Sequence, residues 1–260
     1  MRNTALVSME TTNSVYNTSL YNATTPQTAL SWQRVIIANA WAYSGAEWTE
    51  LMAMHNSGTY NNQWMVVTAA AFTPGHAPKP GFLWIIEQIP GYTQAADVTS
   101  VMVAQGYWPS YNIPYFPEVY NMSGYPAKAA QYGPQYTYAG ASRAQIFKRN
   151  ATAVTDLPSL FARPRSNTHA NPPLAGGGPL LGAISSRGDL RSPGPVALGG
   201  VDTKVTAIGD LPKLVVYSQS GPTNLQQPTF AWANFPTFAN VQHTLVPASF
   251  NFDILLTSLE

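Results

Sequence analysis

The sequence predicts a layered α+β domain, and three observations carry that expectation. Residues 63–72 and 82–89 form two short runs that are apolar on both faces. Strands of that kind need cover on each side of a sheet. Ahead of them Trp32, Val35, Ile36, Ala40 and Trp41 recur at three- and four-residue spacing, the stripe of an amphipathic helix. Finally, a chain of 260 residues can bury a sizeable core. No change of composition marks a linker, so a single domain over residues 1–260 is expected.

The remaining elements follow in order. Residues 5–10 read as a short strand ended by Thr11-Thr12-Asn13, and residues 13–28 as an exposed polar loop. Ser44-Gly45 breaks the first helix. A second helical face over residues 46–55 then carries Trp48, Leu51, Met52 and His55. Asn56-Ser57-Gly58 and Asn61-Asn62 supply residues that tolerate tight turns, directly before Trp64, Met65 and Val66. This junction is expected to turn sharply and feed a central strand that Trp64 anchors in the core. Residues 63–72 and 82–89 then form a hairpin whose loop, residues 74–81, is stiffened by three prolines. Residues 92–140 are rich in Tyr with scattered Pro and Gly, and read as irregular and cleft-forming. Residues 143–150 return to strand or short helix. Residues 163–200, rich in Pro, Gly, Ser and Asn, read as a long surface excursion. Residues 201–206 and 213–218 are two late strands. From Pro228 onward, Phe230, Trp232, Phe235, Phe238, Phe250 and Phe252 form an aromatic strap on the outside of the core.

Composition narrows the function classes. Charged residues are 10% of the chain, where about a quarter is usual, and 13 basic against 12 acidic residues leave a net charge of +1. No electrostatic field favours nucleic acid or anionic lipid. The chain has no cysteine, which removes disulfides, thiolate metal sites and a cysteine nucleophile of its own. Asn-X-Ser/Thr sequons at Asn17, Asn22, Asn121 and Asn150 lean towards the secretory pathway. No apolar leader opens the sequence, and no apolar run reaches the roughly 18 residues of a membrane span. A targeting signal would lie outside these residues.

Most chemical motifs are missing. His55, His76, His169 and His243 show no ligand spacing, so no metal or cofactor is expected. There is no Gly-X-Ser-X-Gly elbow, and Gly176-Gly177-Gly178 lacks the Lys-Ser/Thr of a phosphate loop. Asp189 and Asp202 read as turn and cap residues rather than a glycosidase pair. More informative is the run from Gln105 to Pro114, in which Pro109 and Pro114 restrict the backbone around Asn112 beside Tyr107, Trp108 and Tyr111. A rigid amide in a dry cleft is a good oxyanion donor. The alternative is an Asn that satisfies loop carbonyls. Arg143 reads equally as a structural ion-pair partner or a cation facing substrate.

Several ordered motifs then add up. Asn56-Ser57-Gly58-Thr59-Tyr60-Asn61-Asn62-Gln63-Trp64, Glu87-Gln88-Ile89-Pro90-Gly91, Tyr107-Trp108-Pro109-Ser110-Tyr111-Asn112 and Arg143-Ala144-Gln145-Ile146-Phe147-Lys148-Arg149 occur in sequence. They are followed by Ser185-Ser186-Arg187-Gly188-Asp189-Leu190 and Gly199-Gly200-Val201-Asp202-Thr203-Lys204-Val205. In these stretches, from about Leu6 to Phe252, the chain resembles the phospholipase B-like proteins of the lysosomal, laminin-ancestor type. The resemblance implies an N-terminal-nucleophile hydrolase fold, an αββα four-layer sandwich, here incomplete at its N-terminus. In that family the precursor cuts itself, and the new N-terminal Cys is the nucleophile. Its own α-amino group, with a reference pKa of about 8, serves as base.

Carried over by position, the resemblance makes Asn112 the oxyanion donor, Arg143 the residue that orients the nucleophile or meets the substrate's polar head, and Thr12 a pocket-lining residue. It also implies departures. The nucleophile and the segment after it, with its His and Trp, are missing, because Met1 corresponds to a point inside the larger fragment. The family's cysteines near Ser185-Ser186 are gone, so no disulfide is expected there. The expected function is therefore the C-terminal part of a lysosomal or secreted hydrolase, cleaving ester or amide bonds of acylated small-molecule or lipid substrates. The expected partner is an upstream fragment carrying the nucleophile, without which this chain is inactive. The rival expectation is a non-catalytic relic of the fold that binds lipid or protein.

Overall fold

The structure, a computed structural model, describes residues 5–167, 182–196, 198–238 and 240–258. It is α+β, as expected, with two antiparallel sheets. The chain forms two compact units, Met1–Ala141 and Ser142–Glu260. No Pro/Gly-rich linker separates them. The boundary falls immediately before a helix, so composition gives no sign of it.

The first unit is built on a four-stranded sheet in the order β1 (Leu6–Thr12), β2 (Asn62–Thr68), β3 (Leu83–Ile89) and β4 (Tyr92–Asp97). The expected hairpin is β2–β3, with Trp64 opposite Ile86 and Gln63 opposite Glu87. β2 stops at Thr68 and gives way to a 3-10 turn over Ala69–Ala71, so the first strand is shorter than the apolar run suggested. Two helices, α1 (Ser31–Trp41) and α2 (Gly45–Ala53), supply one covering layer. Trp48 and Met52 of α2 and Ala38 of α1 join Trp64, Val66 and Ile86 in one buried cluster. The start of α2 lies directly against the sheet: a Cβ on Gly45 would sit 2.7 Å from the Trp84 ring.

The helix over residues 31–41 forms where expected but with the opposite face buried. Trp32, Ile36 and Trp41 are 61%, 59% and 69% exposed, whereas Ser31, Arg34 and Ala38 are buried. The cause is Arg34. Its Nε donates to Ala29 O and its Nη1 to Met52 O, and its Nη2 donates to Ser31 Oγ, Ser57 Oγ and Gln88 Oε1. Burial lowers its pKa to about 10. A buried guanidinium is tolerated only when its donors are matched, and this set of acceptors fixes the helix rotation. His55, expected on the second helical face, lies beyond the end of α2 and is exposed.

The turn of residues 56–62 forms as expected and is held by side-chain amides. Asn56 Nδ2 donates to Ile89 O at 2.8 Å, its Oδ1 accepts from Gly58 N, and Asn61 Nδ2 donates to Gly58 O. Gly58 is left-handed (φ +66), and a Cβ there would lie 2.9 Å from Pro90 Cα.

Residues 92–140 are more regular than the composition suggested. They hold β4 and three short helices, α3 (Thr99–Gln105), α4 (Pro117–Met122) and α5 (Tyr125–Tyr132). The prolines that read as breakers are Pro117 and Pro126 in helix first turns, and Gly106 and Gly133 end helices. The tyrosines pack on one another, with Tyr111 against Tyr138 and Tyr120 stacked on Tyr125.

In the second unit, α6 (Ser142–Asn150) resolves the strand-or-helix ambiguity as helix, followed by α7 (Leu157–Ala162). The two late strands are β5 (Asp202–Val205) and β6 (Val216–Ser220), joined by a third, β7 (Leu255–Thr257). The surface excursion expected over residues 163–200 is exposed over residues 191–194 but buried in parts of its other described stretches. Arg165, Asn167 and residues 185–189 are inside. Arg187, wholly buried, makes a two-pronged ion pair with Asp189 and donates to Thr223 O and Pro228 O. The polar composition suggests a solvent-facing stretch, but these side chains find buried polar partners. His169 and Gly176-Gly177-Gly178 lie outside the described residues. In the aromatic strap, Phe230 and Phe238 are buried and Phe230 stacks on Phe235.

Gly58→Ala should lower stability by roughly 1–3 kcal/mol, from a left-handed β-carbon pressed against Pro90. Gly75→Ala is the control, since Gly75 is equally left-handed (φ +83) but a Cβ there meets open space. Urea unfolding should show the larger loss at Gly58, and equal losses would remove Pro90 from the explanation.

Candidate active site

Successive residues of a strand point to opposite faces, so Glu87 and Gln88 of β3 serve different layers. Gln88 turns towards α1, where it accepts from Arg34 and donates to Thr59 O and Tyr60 O. Glu87 turns to the other face, shared by its neighbour Gln63, and is wholly buried. Its Oε1 accepts from Tyr115 N at 2.7 Å, Gln63 Nε2 at 2.8 Å and Asn13 Nδ2 at 3.4 Å. Its Oε2 accepts from Phe116 N at 3.1 Å. Burial pushes the Glu87 carboxyl up from 4.5 to about 7, and the hydrogen bonds, which favour the charged form, offset only part of this.

The two backbone amides on Glu87 fix the end of the segment that carries Asn112. Further back, Trp108 Nε1 donates to Gln63 Oε1 at 3.2 Å, so sheet side chains hold both ends of the loop. Asn112 lies between buried Tyr111 and Ile113 in the left-handed region (φ +70), which Asn tolerates better than most residues. Its carbonyl accepts from the hydroxyl of buried Tyr125 at 2.8 Å, and that hydroxyl accepts from Ser14 N. Burial raises the Tyr125 pKa well above the usual phenol value, keeping the hydroxyl a donor. Asn112 Nδ2 donates to Thr12 O at 2.7 Å.

Thr12 and Asn112, 100 positions apart in sequence, therefore meet at the end of β1. Asn112 is half-buried and Thr12 exposed, so the surroundings are wetter than three neighbouring aromatic residues suggested. The loop-carbonyl reading of Asn112 is realised in its bond to Thr12. The carboxamide is thus fixed through both backbone and side chain. Arg143 belongs to the second unit, on α6. Its Nε donates to Ala183 O at 2.9 Å and its Nη2 to Ser186 Oγ at 2.7 Å, and burial lowers its pKa. The residue that sequence reasoning passed over is Glu87. The available signal was an acid inside an apolar strand, in a chain with 12 acidic residues.

The family model for Phospholipase B matches residues 1–257. Phospholipase B-like protein G of Dictyostelium discoideum is 42% identical over 261 residues, covering 95% of this chain and 44% of that protein. Human Phospholipase B-like 1 is 41% identical, covering 96% of this chain and 44% of its own length, and Phospholipase B of Crotalus adamanteus is 39% identical with the same coverage. The chain belongs to the phospholipase B family. It spans less than half the length of these relatives.

The raised Glu87 carboxyl fixes a sign for pH dependence. The native state holds this proton up to about pH 7 and the unfolded chain only to about 4.5, so stability rises on acidification between those values. From pH 7 to pH 5 the gain should be on the order of 2 kcal/mol. Glu87→Gln, which cannot ionise, should remove that gain. Urea unfolding of both proteins at the two pH values measures it, and equal slopes would assign the dependence elsewhere.

Proposed function

We propose that this chain is part of a phospholipase B-like hydrolase that cleaves ester or amide bonds of acylated, lipid-type substrates. The observation that carries the reading is the fixed Asn112 carboxamide at Thr12, at positions the family resemblance assigns to the pocket. Asn112 would donate to the oxyanion that forms when a thiolate attacks an acyl carbonyl. Thr12 would line the pocket, and Arg143 would orient the nucleophile or meet the polar head of the substrate. The nucleophile would come from a cysteine-led upstream fragment, since this chain contains no cysteine. That reaction fits an αββα sandwich of the N-terminal-nucleophile type, to which the antiparallel sheets would contribute. The rival reading is a relic that keeps the fold and binds lipid or protein.

A secretory or lysosomal route accords with the sequons. Asn22 and Asn121 are exposed, whereas Asn17 Nδ2 already donates to Met122 O. Among the described residues no helix is long and apolar enough to cross a membrane.

In the chain supplied together with its nucleophile-bearing segment, Asn112→Ala should slow hydrolysis of an acyl substrate by roughly 100- to 1,000-fold, as for loss of an oxyanion donor. Arg143→Ala should slow it too. Release of fatty acid from a phospholipid and from an N-acyl amide would measure both variants, and unchanged rates would reject the assignments. For the glycans, enzymatic deglycosylation of secreted protein should show Asn22→Gln removing one mobility step and Asn17→Gln none.

A further inference from the structure

Both sides of the Thr12–Asn112 contact are tethered to one carboxyl group. Asn13, next to Thr12, reaches Glu87 Oε1 through its side-chain amide. The backbone amides of Tyr115 and Phe116, three and four residues beyond Asn112, bind Oε1 and Oε2. Glu87 also stands in a polar row across the whole sheet, with Thr11 opposite Gln63, Gln63 opposite Glu87 and Glu87 opposite Gln94. The four groups bonded to the carboxyl are all donors. They suit a carboxylate, whereas the acid form carries a hydrogen that needs an acceptor. Two acceptors are at hand: Asn13 Oδ1 and Gln94 Oε1 are buried and have no hydrogen-bond partner. The Gln63 oxygen is already committed to Trp108 Nε1, a group that only donates. Asn13 is the most distant of the four donors, at 3.4 Å, so turning its amide gives up a weak bond and offers Oδ1 to the acid.

The surroundings leave Glu87 to titrate alone. The ionisable side chains that sense its charge are the phenols of Tyr125 on α5 and Tyr138 ahead of α6. Burial raises both, Tyr138 to about 12, so they stay neutral while Glu87 titrates. Glu118 of α4 is exposed, and Arg34 bonds Gln88 on the opposite face. Among the described residues no cation contributes to the Glu87 shift.

We propose that Glu87 is the positioning residue of the Asn112 site and that its proton controls the site loop: the acid form keeps residues 108–116 closed over the sheet, and ionisation loosens them. The proposal rests on the reading above of Asn112 as the oxyanion donor. An ionised Glu87 is wholly buried with no cation beside it, and the strands around it are fixed by their ladders. The covering segment, residues 108–116, belongs to no helix or strand, so lifting it is the easier way to hydrate the charge. The carboxyl titrates at 4.5 when wet and at about 7 when enclosed, so closure weakens as pH rises between those values. From pH 5 to pH 7, opening of this segment should increase roughly 40-fold.

Amide exchange of this chain at pH 5 and pH 7, corrected for intrinsic rates, tests the proposal. Protection of the Tyr115 and Phe116 amides should fall roughly 40-fold over that interval and stay below that of the β2–β3 ladder at both pH values. The side-chain amide of Asn112, assigned by its loss in Asn112→Asp, should show an NMR shift with a midpoint near pH 7. Both responses should vanish in Glu87→Gln, which is always neutral and can still donate to Asn13 Oδ1. Should that variant not fold, the wild-type comparison of loop with ladder decides. Equal protection of loop and ladder amides would make the response global and overturn the proposal. So would an Asn112 signal that is flat through pH 7, or either response persisting in Glu87→Gln. None of these readouts needs hydrolysis. An Asn112 signal that follows Glu87, in a protein whose Asn112→Ala variant hydrolyses at the full rate, would count against the catalytic reading alone.

Discussion

A single carboxylate without access to water ties the candidate site to the sheet. Glu87 accepts from two consecutive backbone amides, Tyr115 and Phe116, and from two side-chain amides, Gln63 and Asn13. All four donors come from other parts of the chain, so one side chain joins the residue that follows β1, the start of β2 and the loop that carries Asn112. Removing it would strand buried donors, which costs more than any one of these bonds contributes. The left-handed Asn112, the Tyr125 hydroxyl beneath it and its contact with Thr12 all depend on that anchor.

On the opposite face of the same strand, Gln88 and Arg34 do for the helical layer what Glu87 does for the site loop. The guanidinium collects carbonyls from both ends of the α1–α2 pair, so the orientation of α1 is set by polar matching rather than by apolar area. The unit is thus organised by two buried polar hubs, back to back on β3. Its oily cluster of Trp48, Met52, Trp64, Val66 and Ile86 fills the space beside one of them.

Much of this arrangement was legible in the sequence where local chemistry decides. Gly58 and Asn61 announced a turn, two apolar runs announced a hairpin, and Trp64 lies in the core as its surroundings suggested. Misreadings arose where polar groups were assumed to seek water. The aromatic stripe of α1 suggests a buried face, whereas the acceptors gathered around Arg34 turn Trp32, Ile36 and Trp41 to solvent. Residues 185–189 looked like loop because Ser185 and Ser186 meet Asn167 and Arg143, and Arg187 meets Thr223 and Pro228, only in three dimensions. Short helices in residues 92–140 were hidden by the prolines and glycines that start and end them. For the site, Asn112 could be singled out by its flanking prolines, whereas the meeting with Thr12 depends on sheet register. Register is a long-range property that no local window contains.

The adjacency of Glu87 and Gln88 also limits how the chain can vary in length. Inserting or deleting one residue within β3 would rotate every following side chain to the other face, placing the acid opposite Arg34 and the amide beneath Tyr115. Both hubs would be lost in one step. The loop between β2 and β3 has no such constraint, because Gly75 and Gly81 turn in open space. Length changes among related chains are therefore expected in that loop and excluded from the strand it leads into.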